Sequence, residues 1–317
     1  MTSPRLPFPH VINSSFRTDF VACPQKAYLQ NVAHWKAKNL SVHLLAGGAY
    51  AEGLEVARKS YYDEHTDAET AIAQGLHALL RYYGTYECPP ESAKSLERML
   101  GALEYYFHEY PLGVDAAHPA SLPGGRTGVE FSFAEPIDIL HPETGQPLIY
   151  CGRMDMVADY AGALYGEDDK TTSRLGASWG NQWDLRAQFT AYTWACQQAG
   201  IPLAGFLVRG ISILKTKYET QQAITYRHPW MVERWYKQLL RDVNRMIECW
   251  KEDYWDYNLD DSCNAYGGCP FKKVCTAVNP EAWLKVDFER RVRDPLTRTE
   301  MPFDEWLEQE TKGKVTV

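Results

Sequence analysis

The fold is decided by residues 151–173, which read CGRMDMVADYAGALYGEDDKTTS. Apolar and polar residues alternate on both sides of Ala161 and Gly162, and this two-residue period predicts two strands. Because small residues lie between the two runs, we expect the chain to turn there and form a β-hairpin.

The predicted hairpin brings chemically useful side chains together. Asp155 lies 13 residues before Asp168, and a hairpin of that length sets the two carboxylates side by side. Asp168 and Lys170 point to one face of their strand, whereas Asp169 points to the other. Paired carboxylates suit Mg²⁺ or Mn²⁺, and phosphodiester hydrolysis needs such a cation together with a lysine that stabilises the developing charge. The alternative is a surface strand with a solvated acidic run.

Helical and strand patterns surround the hairpin. Helical periodicity is predicted over residues 14–35, 44–64, 67–83, 91–110, 181–199 and 229–252. Alternation predicts further strands at TGVEFSF (127–133), GFLVRGISILKT (205–216) and TQQAITYRH (220–228). This order predicts an α/β fold with a mixed sheet flanked by helices and a helical elaboration beside it.

Two of the predicted helices carry polar residues that suit the same site. Gln188 and Tyr192 are four residues apart and share a helix face, although an ordinary amphipathic helix would show the same pattern. Glu52 and Glu55 lie on nearly one face of the helix that begins after two glycines. Glu55 has a helical partner in Lys59, which predicts a surface pair, so Glu52 is the better candidate for a third metal ligand.

The order of these motifs resembles that of the PD-(D/E)xK nuclease superfamily, in particular its RecB-like branch. The matching residues are Gly48 and Glu52, Gly152 and Asp155, Asp168-Asp169-Lys170, and Gln188 and Tyr192. Many members have His where this chain has Glu52, and Glu is an equally competent ligand for Mg²⁺. The resemblance implies a restriction-endonuclease-like fold. It also implies metal coordination by Glu52, Asp155, Asp168 and the carbonyl of Asp169, with Lys170 or the DNA backbone positioned by Gln188 and Tyr192.

The cysteines form a second pattern. Cys263, Cys269 and Cys275 follow the core with the spacing C-x5-C-x5-C, and Cys23 precedes it in a Cys-Pro context. This uneven spacing favours an iron–sulfur cluster over a zinc site, which usually contains close cysteine pairs. The flanking residues resemble those of the iron–sulfur nucleases of the AddB type and of the CRISPR-adaptation nuclease family, which implies a 4Fe-4S cluster held by these four cysteines. The alternatives are Zn²⁺ in the same place, or four buried or free thiols.

The remaining cysteines are not expected to bind the cluster. Cys151 and Cys196 lie in strand and helix contexts typical of a core, and Cys88 and Cys249 lack ligand spacing.

Charge and composition limit the class of protein. The 317 residues carry 33 Lys and Arg against 41 Asp and Glu, so a DNA partner requires a local basic surface. Arg153, Arg174 and Arg186 are weak candidates for phosphate contacts, and Glu130 is expected to be an exposed strand residue. We find no signal peptide, no membrane span and no P-loop, so we expect a cytoplasmic protein of a bacterium or phage-infected cell, without an ATPase of its own.

The sequence therefore predicts one iron–sulfur nuclease domain over residues 1–277, with a helical insertion at about 60–126 and an extension at 278–317. The expected activity is that of a Mg²⁺- or Mn²⁺-dependent deoxyribonuclease, most simply an exonuclease on DNA ends or single strands, acting in recombination or repair. A helicase or an annealing protein is a candidate partner. One alternative is a DNA-end-binding subunit of a larger complex, including a CRISPR spacer-integration complex, with cleavage secondary. Another is a zinc-stabilised hydrolase.

Overall fold

The computed structural model of the protein describes residues 5–39, 41–258, 260–264 and 268–313. The helices are α1 Ser14–Ala22, α2 Pro24–Ala27, α3 Val42–Tyr62, α4 Ala68–Tyr83, α5 Leu96–Glu109, α6 Ala177–Asn181, α7 Ala187–Gln198, α8 Pro229–Glu252, α9 Lys272–Thr276, α10 Pro280–Asp287 and α11 Phe303–Gly313. The strands are β1 Val11–Asn13, β2 Trp35–Ala37, β3 Ala117–Pro119, β4 Val129–Leu140, β5 Pro147–Tyr160, β6 Ala163–Thr172, β7 Gly205–Ile213, β8 Tyr218–Thr225, β9 Phe288–Arg293 and β10 Glu300–Pro302.

The chain divides into two compact units. The first unit comprises Met1–Asn39, Phe133–Gly152 and Arg234–Val317, and the second comprises Leu40–Ser132 and Arg153–Glu233. Of the four boundaries between the units, one falls between residues 39 and 40, and the other three fall within β4, β5 and α8. Among the described residues, no helix combines the length and the apolar character that crossing a bilayer requires.

The predicted hairpin is present in the second unit. Strands β5 and β6 pair antiparallel, from Met156 opposite Glu167 to Tyr160 opposite Ala163. Ala161 and Gly162 both have positive φ angles, 53° and 79°, as the two central residues of a type I′ hairpin turn require. The turn fixes the register of the two strands, and the register decides which carboxylates face one another.

Neighbouring strands extend the hairpin into a mixed sheet. Strand β6 pairs parallel with β7, β7 pairs antiparallel with β8, and β3 pairs antiparallel with β5. In the first unit, β1 pairs parallel with the beginning of β5. Helices α3 and α7 both pack on β6, and α5 packs on β7. The predicted fold class, an α/β fold with a mixed sheet flanked by helices, is confirmed.

Helices α3, α4 and α5 form an apolar cluster of the second unit, which includes Leu54, Leu79 and Leu103. Helices α3 and α4 approach one another closely where Gly75 lies against the backbone of Gly53. A Cβ atom at Gly75 would be only 2.6 Å from the carbonyl oxygen of Gly53, so a side chain there would force the helices apart. Helices α4 and α5 lie within the helical insertion that the sequence predicts.

Three predicted helices have different limits in the structure. The helix predicted over 14–35 breaks at Cys23, which is extended because Pro24 disfavours the helical conformation of the residue before it. The helix predicted from residue 91 begins at Leu96, where the hydroxyl of Ser95 accepts a hydrogen bond from the amide of Arg98. The helix predicted over 181–199 corresponds to α7, which begins later, at Ala187, and the short helix α6 ends where the prediction begins.

The carboxyl-terminal elements belong to the first unit. Strand β9 pairs with both β2 and β10, and Leu284 and Phe288 share a small apolar cluster with Leu29, Phe271 and Val274. The described residues beyond 277 therefore pack on an early segment of the chain. The domain limits predicted from the sequence stay predictions.

Candidate active site

Asp155 and Asp168 face one another on the hairpin. They occupy the register position next to the pair formed by Met156 and Glu167. Asp168 is buried with 2% of its surface exposed, and Asp155 is half-buried. Burial raises the pKa of both carboxyl groups, and the charge of Asp168 raises the pKa of Asp155 further. Both carboxyl groups therefore need a nearby positive charge to remain ionised.

Lys170 supplies part of that charge. Its Nζ atom lies 2.7 Å from Oδ2 of Asp168 and also contacts Oδ1. Burial acts to lower the pKa of Lys170, but Asp168 and Asp155 outweigh it and raise the pKa overall. The lysine is therefore an ammonium ion, and it lowers the pKa of both aspartates against the effect of burial. One monovalent cation serves two facing carboxylates.

The chemistry of this pair fits a divalent cation. Mg²⁺ is commonly bound by one or two carboxylates and retains several waters, so Asp155 and Asp168 would suffice as protein ligands. Among the described residues, no group of three or more His, Cys, Asp or Glu side chains is arranged to hold a metal ion. Glu52 is half-buried on α3, and its role as a third ligand stays a prediction.

Asp169 contributes its backbone to the site and its side chain to the opposite face of β6. Its amide donates a hydrogen bond of 2.8 Å to Oδ2 of Asp155, which holds that carboxylate in place. Its own carboxylate lies 2.8 Å from the guanidinium of Arg58. The predicted coordination of a metal by the carbonyl of Asp169 stays a prediction.

Arg58 anchors one face of strand β6. The guanidinium bonds Glu167 at 2.6 Å and Asp169 at 2.8 Å, the two residues that flank Asp168, and it also donates to the hydroxyl of Tyr106 at 2.7 Å. Arg58 is only 4% exposed. An arginine that bonds two carboxylates of one strand fixes the position of that strand. It therefore also fixes Asp168, which lies between the two bonded residues, and Lys170, which follows them.

Arg209 continues this network on β7. It lies opposite Asp169 in the parallel register, forms a two-pronged ion pair with Asp115, and contacts Glu167 at 3.4 Å. Burial raises the pKa of Glu167 to about 7, although Arg209 and Arg58 both lower it. The sequence analysis missed this network because residue periodicity shows which face is buried and not which charged residues meet there.

A second charged cluster lies beside Asp155 and corrects two predictions. Glu130 is not an exposed strand residue, because only 9% of its side chain is exposed and Oε2 lies 2.7 Å from Nε of Arg153. Glu55 does pair with Lys59, at 2.7 Å, but its side chain is only 11% exposed and also contacts Arg153. Glu130 has a φ angle of 53°, a left-handed conformation that interrupts the strand alternation on which the prediction rested.

Gln188 and Tyr192 connect α7 to β5. The amide of Gln188 donates to the hydroxyl of Tyr192 at 2.9 Å, and that hydroxyl donates in turn to the carbonyl of Arg153. The pair therefore holds the backbone two residues before Asp155. Its predicted contact with Lys170 or with DNA stays a prediction.

The three candidate arginines lie in different surroundings. Arg153 is paired with Glu130 and Glu55, as described above, whereas Arg174 and Arg186 are exposed. Burial raises the pKa of Asp168, and the charge of Arg186 acts in the opposite direction. The predicted contacts of all three arginines with phosphate stay predictions.

The four predicted cluster ligands lie in the first unit and influence one another. Burial raises the pKa of Cys275 to about 11, and the thiols of Cys269, Cys23 and Cys263 raise it as well. The amide of Cys269 also bonds the carbonyl of Cys263 at 3.0 Å. All four are free thiols, and four thiols within electrostatic range of one another suit a cluster that needs four thiolates.

The other four cysteines and Trp255 lie in packed surroundings. Cys151 and Cys196 are buried, as predicted, and Cys88 and Cys249 are half-buried. Trp255 is buried against Phe20 and Tyr28. This tryptophan packs in the protein and is not available for stacking on bases.

Comparison with known proteins gives distant structural similarities. No protein-family model matches the chain, and no curated protein sequence matches it. The chain is similar to a protein from Eubacterium rectale described as a "putative exonuclease", with 15% identity, a TM-score of 0.49, and coverage of 85% of this chain and 94% of that one. It is also similar to a protein named SSO0001, with 13% identity, a TM-score of 0.29, and coverage of 63% and 74% of the two chains. Likeness at this level says nothing about activity.

The surroundings of Glu130 generate a pH-dependent prediction. Burial, followed by the charge of Glu55, raises the pKa of Glu130 from 4.5 to about 7 although Arg153 lowers it. The folded protein thus retains a proton that the unfolded chain releases, so this residue destabilises the fold as pH rises from 4.5 to about 7. Glu130→Gln cannot ionise, and we expect it to remove on the order of 1–3 kcal/mol of that pH-dependent loss.

The measurement is the free energy of urea unfolding between pH 4.5 and 7.5 in the presence of a chelator. The exposed Glu64→Gln is the matched control and should follow the wild-type curve. Parallel curves for wild type and Glu130→Gln would show that Glu130 ionises normally in the folded protein.

Proposed function

We propose that this protein is a metal-dependent DNA nuclease of the PD-(D/E)xK type. The observation that carries the proposal is the convergence of Asp155, Asp168 and Lys170 on one face of the β5–β6 hairpin. Facing carboxylates with an adjacent ammonium are the set that metal-assisted phosphodiester hydrolysis requires. The motif order described above supports the same reaction.

Each residue has a distinct part in this proposal. Asp155 and Asp168 hold Mg²⁺ or Mn²⁺, which when bound polarises a phosphoryl oxygen and lowers the pKa of an attacking water. The ammonium of Lys170 stabilises the negative charge that develops on the phosphate and orients the water. The amide of Asp169 orients Asp155, and Tyr192 with Gln188 holds the backbone before it.

We further propose DNA ends or single strands as the substrate and an exonucleolytic mode of cleavage, in recombination or repair. The net charge of −8 opposes non-specific attraction to DNA, so binding depends on local cations near the carboxylate pair, of which Arg186 is the exposed example. A helicase or an annealing protein is the proposed class of partner.

The carboxylate pair gives the first functional prediction. Asp155→Asn and Asp168→Asn should each abolish cleavage because each removes a charged ligand from a hard cation. The measurement is degradation of end-labelled single- and double-stranded DNA with Mg²⁺, with Mn²⁺ and with a chelator, on variants whose circular dichroism matches the wild type.

Asp304→Asn, an exposed site in the first unit, is the matched control and should cleave as the wild type does. Full cleavage by both Asp155→Asn and Asp168→Asn would contradict the proposed site. Cleavage that persists in the chelator would contradict the proposed metal dependence.

For the second part of the proposal, Cys23, Cys263, Cys269 and Cys275 hold a 4Fe-4S cluster. Cys23 and Cys263 are 240 residues apart, so a shared cluster closes a very long loop and restricts the unfolded chain. The mutual influence of the four thiols supports this set. Because none of the proposed catalytic residues is adjacent to these cysteines in the sequence, the role of the cluster is to stabilise the fold.

Replacing any one of the four cysteines by Ala should give a paler and less soluble protein with little iron. Cys196→Ala, a buried thiol outside the set, is the control and should keep its iron. Iron and acid-labile sulfide are measured after anaerobic purification. Zinc in place of iron would favour the zinc-stabilised hydrolase, and iron retained after Cys23→Ala would remove Cys23 from the ligand set.

A further inference from the structure

Lys94 is a buried lysine without an acidic partner. It lies in the segment between α4 and α5, and only 7% of its surface is exposed. In the described part of the chain, the hydrogen bond of its Nζ atom is to the neutral hydroxyl of Thr171, at 3.2 Å, and no carboxylate forms an ion pair with it. The other buried cations of the second unit differ, because Arg58 and Arg209 are both paired with carboxylates.

An unpaired buried ammonium is costly for a folded protein. Removal from water disfavours the charged form, and burial is the cause that lowers the pKa of Lys94. A hydroxyl does not neutralise the charge. A buried ionisable group with a shifted pKa is a candidate for a functional site, where a ligand can supply the missing anion.

The backbone around Lys94 holds the side chain in a defined place. The carbonyl of Lys94 accepts a bond of 2.7 Å from the buried hydroxyl of Tyr83, and its amide donates to the hydroxyl of Ser92 at 3.2 Å. The next residue, Ser95, begins α5. The lysine is thus presented from a fixed backbone and not from a free loop, which reduces the entropic cost of binding a ligand.

Thr171 places this lysine at the end of the strand that carries Asp168 and Lys170, behind the face on which those two side chains lie. It follows Lys170 directly on β6, so the two Cα atoms are about 3.8 Å apart, and its side chain points to the opposite face of the strand. The start of α3 lies at the same point, since a Cβ atom on Gly47 would be 3.9 Å from the hydroxyl of Thr171. An ammonium and a hydroxyl therefore lie together at the end of the catalytic strand.

We propose that Lys94 and Thr171 form a second phosphate-binding subsite, which takes a backbone phosphate of the nucleic-acid strand at the end of β6, on the face of that strand opposite Asp168 and Lys170. Both groups are hydrogen-bond donors suited to a phosphate oxygen, and the phosphate supplies the anion that Lys94 lacks. The inference rests on the proposed nuclease function and extends it to a residue of the helical segment between α3 and β3.

The test uses Lys94→Met, which keeps the volume of the side chain and removes its charge. Binding of a fluorescent single-stranded oligonucleotide is measured by anisotropy in a chelator, at several salt concentrations. Loss of one charge-assisted contact should weaken binding on the order of tenfold. It should also reduce the slope of log affinity against log salt by about 0.7, the value for one phosphate contact on a single strand.

Three further variants make the result specific. Lys237→Met removes an exposed lysine of the first unit and should leave affinity and salt slope unchanged. Lys94→Arg keeps the charge and should retain most of the binding, whereas Thr171→Val should weaken binding a few-fold by removing one donor. Without DNA, Lys94→Met should be at least as stable as the wild type, because a buried unpaired charge has been removed.

Each outcome decides between the two proposals. Wild-type affinity and salt slope in a folded Lys94→Met protein would overturn the subsite while leaving the nuclease proposal intact. Failure of Lys94→Met to fold would also overturn the subsite, since it would give the lysine a structural role. If the wild type neither binds nor cleaves DNA, the proposed function fails first, and the subsite fails with it.

Discussion

Repulsion between Asp155 and Asp168 is the constraint on which the rest of the site depends. The β5–β6 register sets two partly or fully buried carboxylates opposite one another, and burial raises the pKa of both. Lys170 offsets only part of this unfavourable charge. Under the proposed function, a divalent cation bound by Asp155 and Asp168 would offset this repulsion.

The second face of β6 explains how that arrangement is kept in place. Glu167 and Asp169 lie on the face of β6 opposite Asp168 and Lys170. Arg58 forms ion pairs with both of them, and Arg209 on β7 also contacts Glu167. The strand therefore carries charge on both faces, and the buried arginines balance one face so that the other can face a ligand. Mutual ion pairing within a buried network costs less than leaving any one of these charges unpaired.

The hairpin, the fold class and the pairing of Asp155 with Asp168 could be predicted from the sequence, because strand alternation and a turn depend on neighbouring residues. The hydrogen bonds of Arg58 to Glu167 and Asp169, which lie 109 and 111 positions further along the chain, could not be predicted. Periodicity identifies a buried face but does not identify the partner that each buried residue meets there. Glu130 was mispredicted because a single left-handed residue interrupts the alternation. The prediction of one helix over residues 14–35 was wrong because Pro24 ends the first helix before Cys23.

If Asp155 and Asp168 hold a metal ion as proposed, the ammonium of Lys170, which bonds Asp168, competes with that ion for the same carboxylate. The most direct measurement is the affinity for Mn²⁺ of the wild type and of Lys170→Met, by calorimetry on metal-free protein without DNA. Removing the ammonium leaves two facing carboxylates with less compensating charge, so Lys170→Met should bind Mn²⁺ more tightly than the wild type while losing cleavage. Equal or weaker Mn²⁺ binding by Lys170→Met would contradict this account of the site.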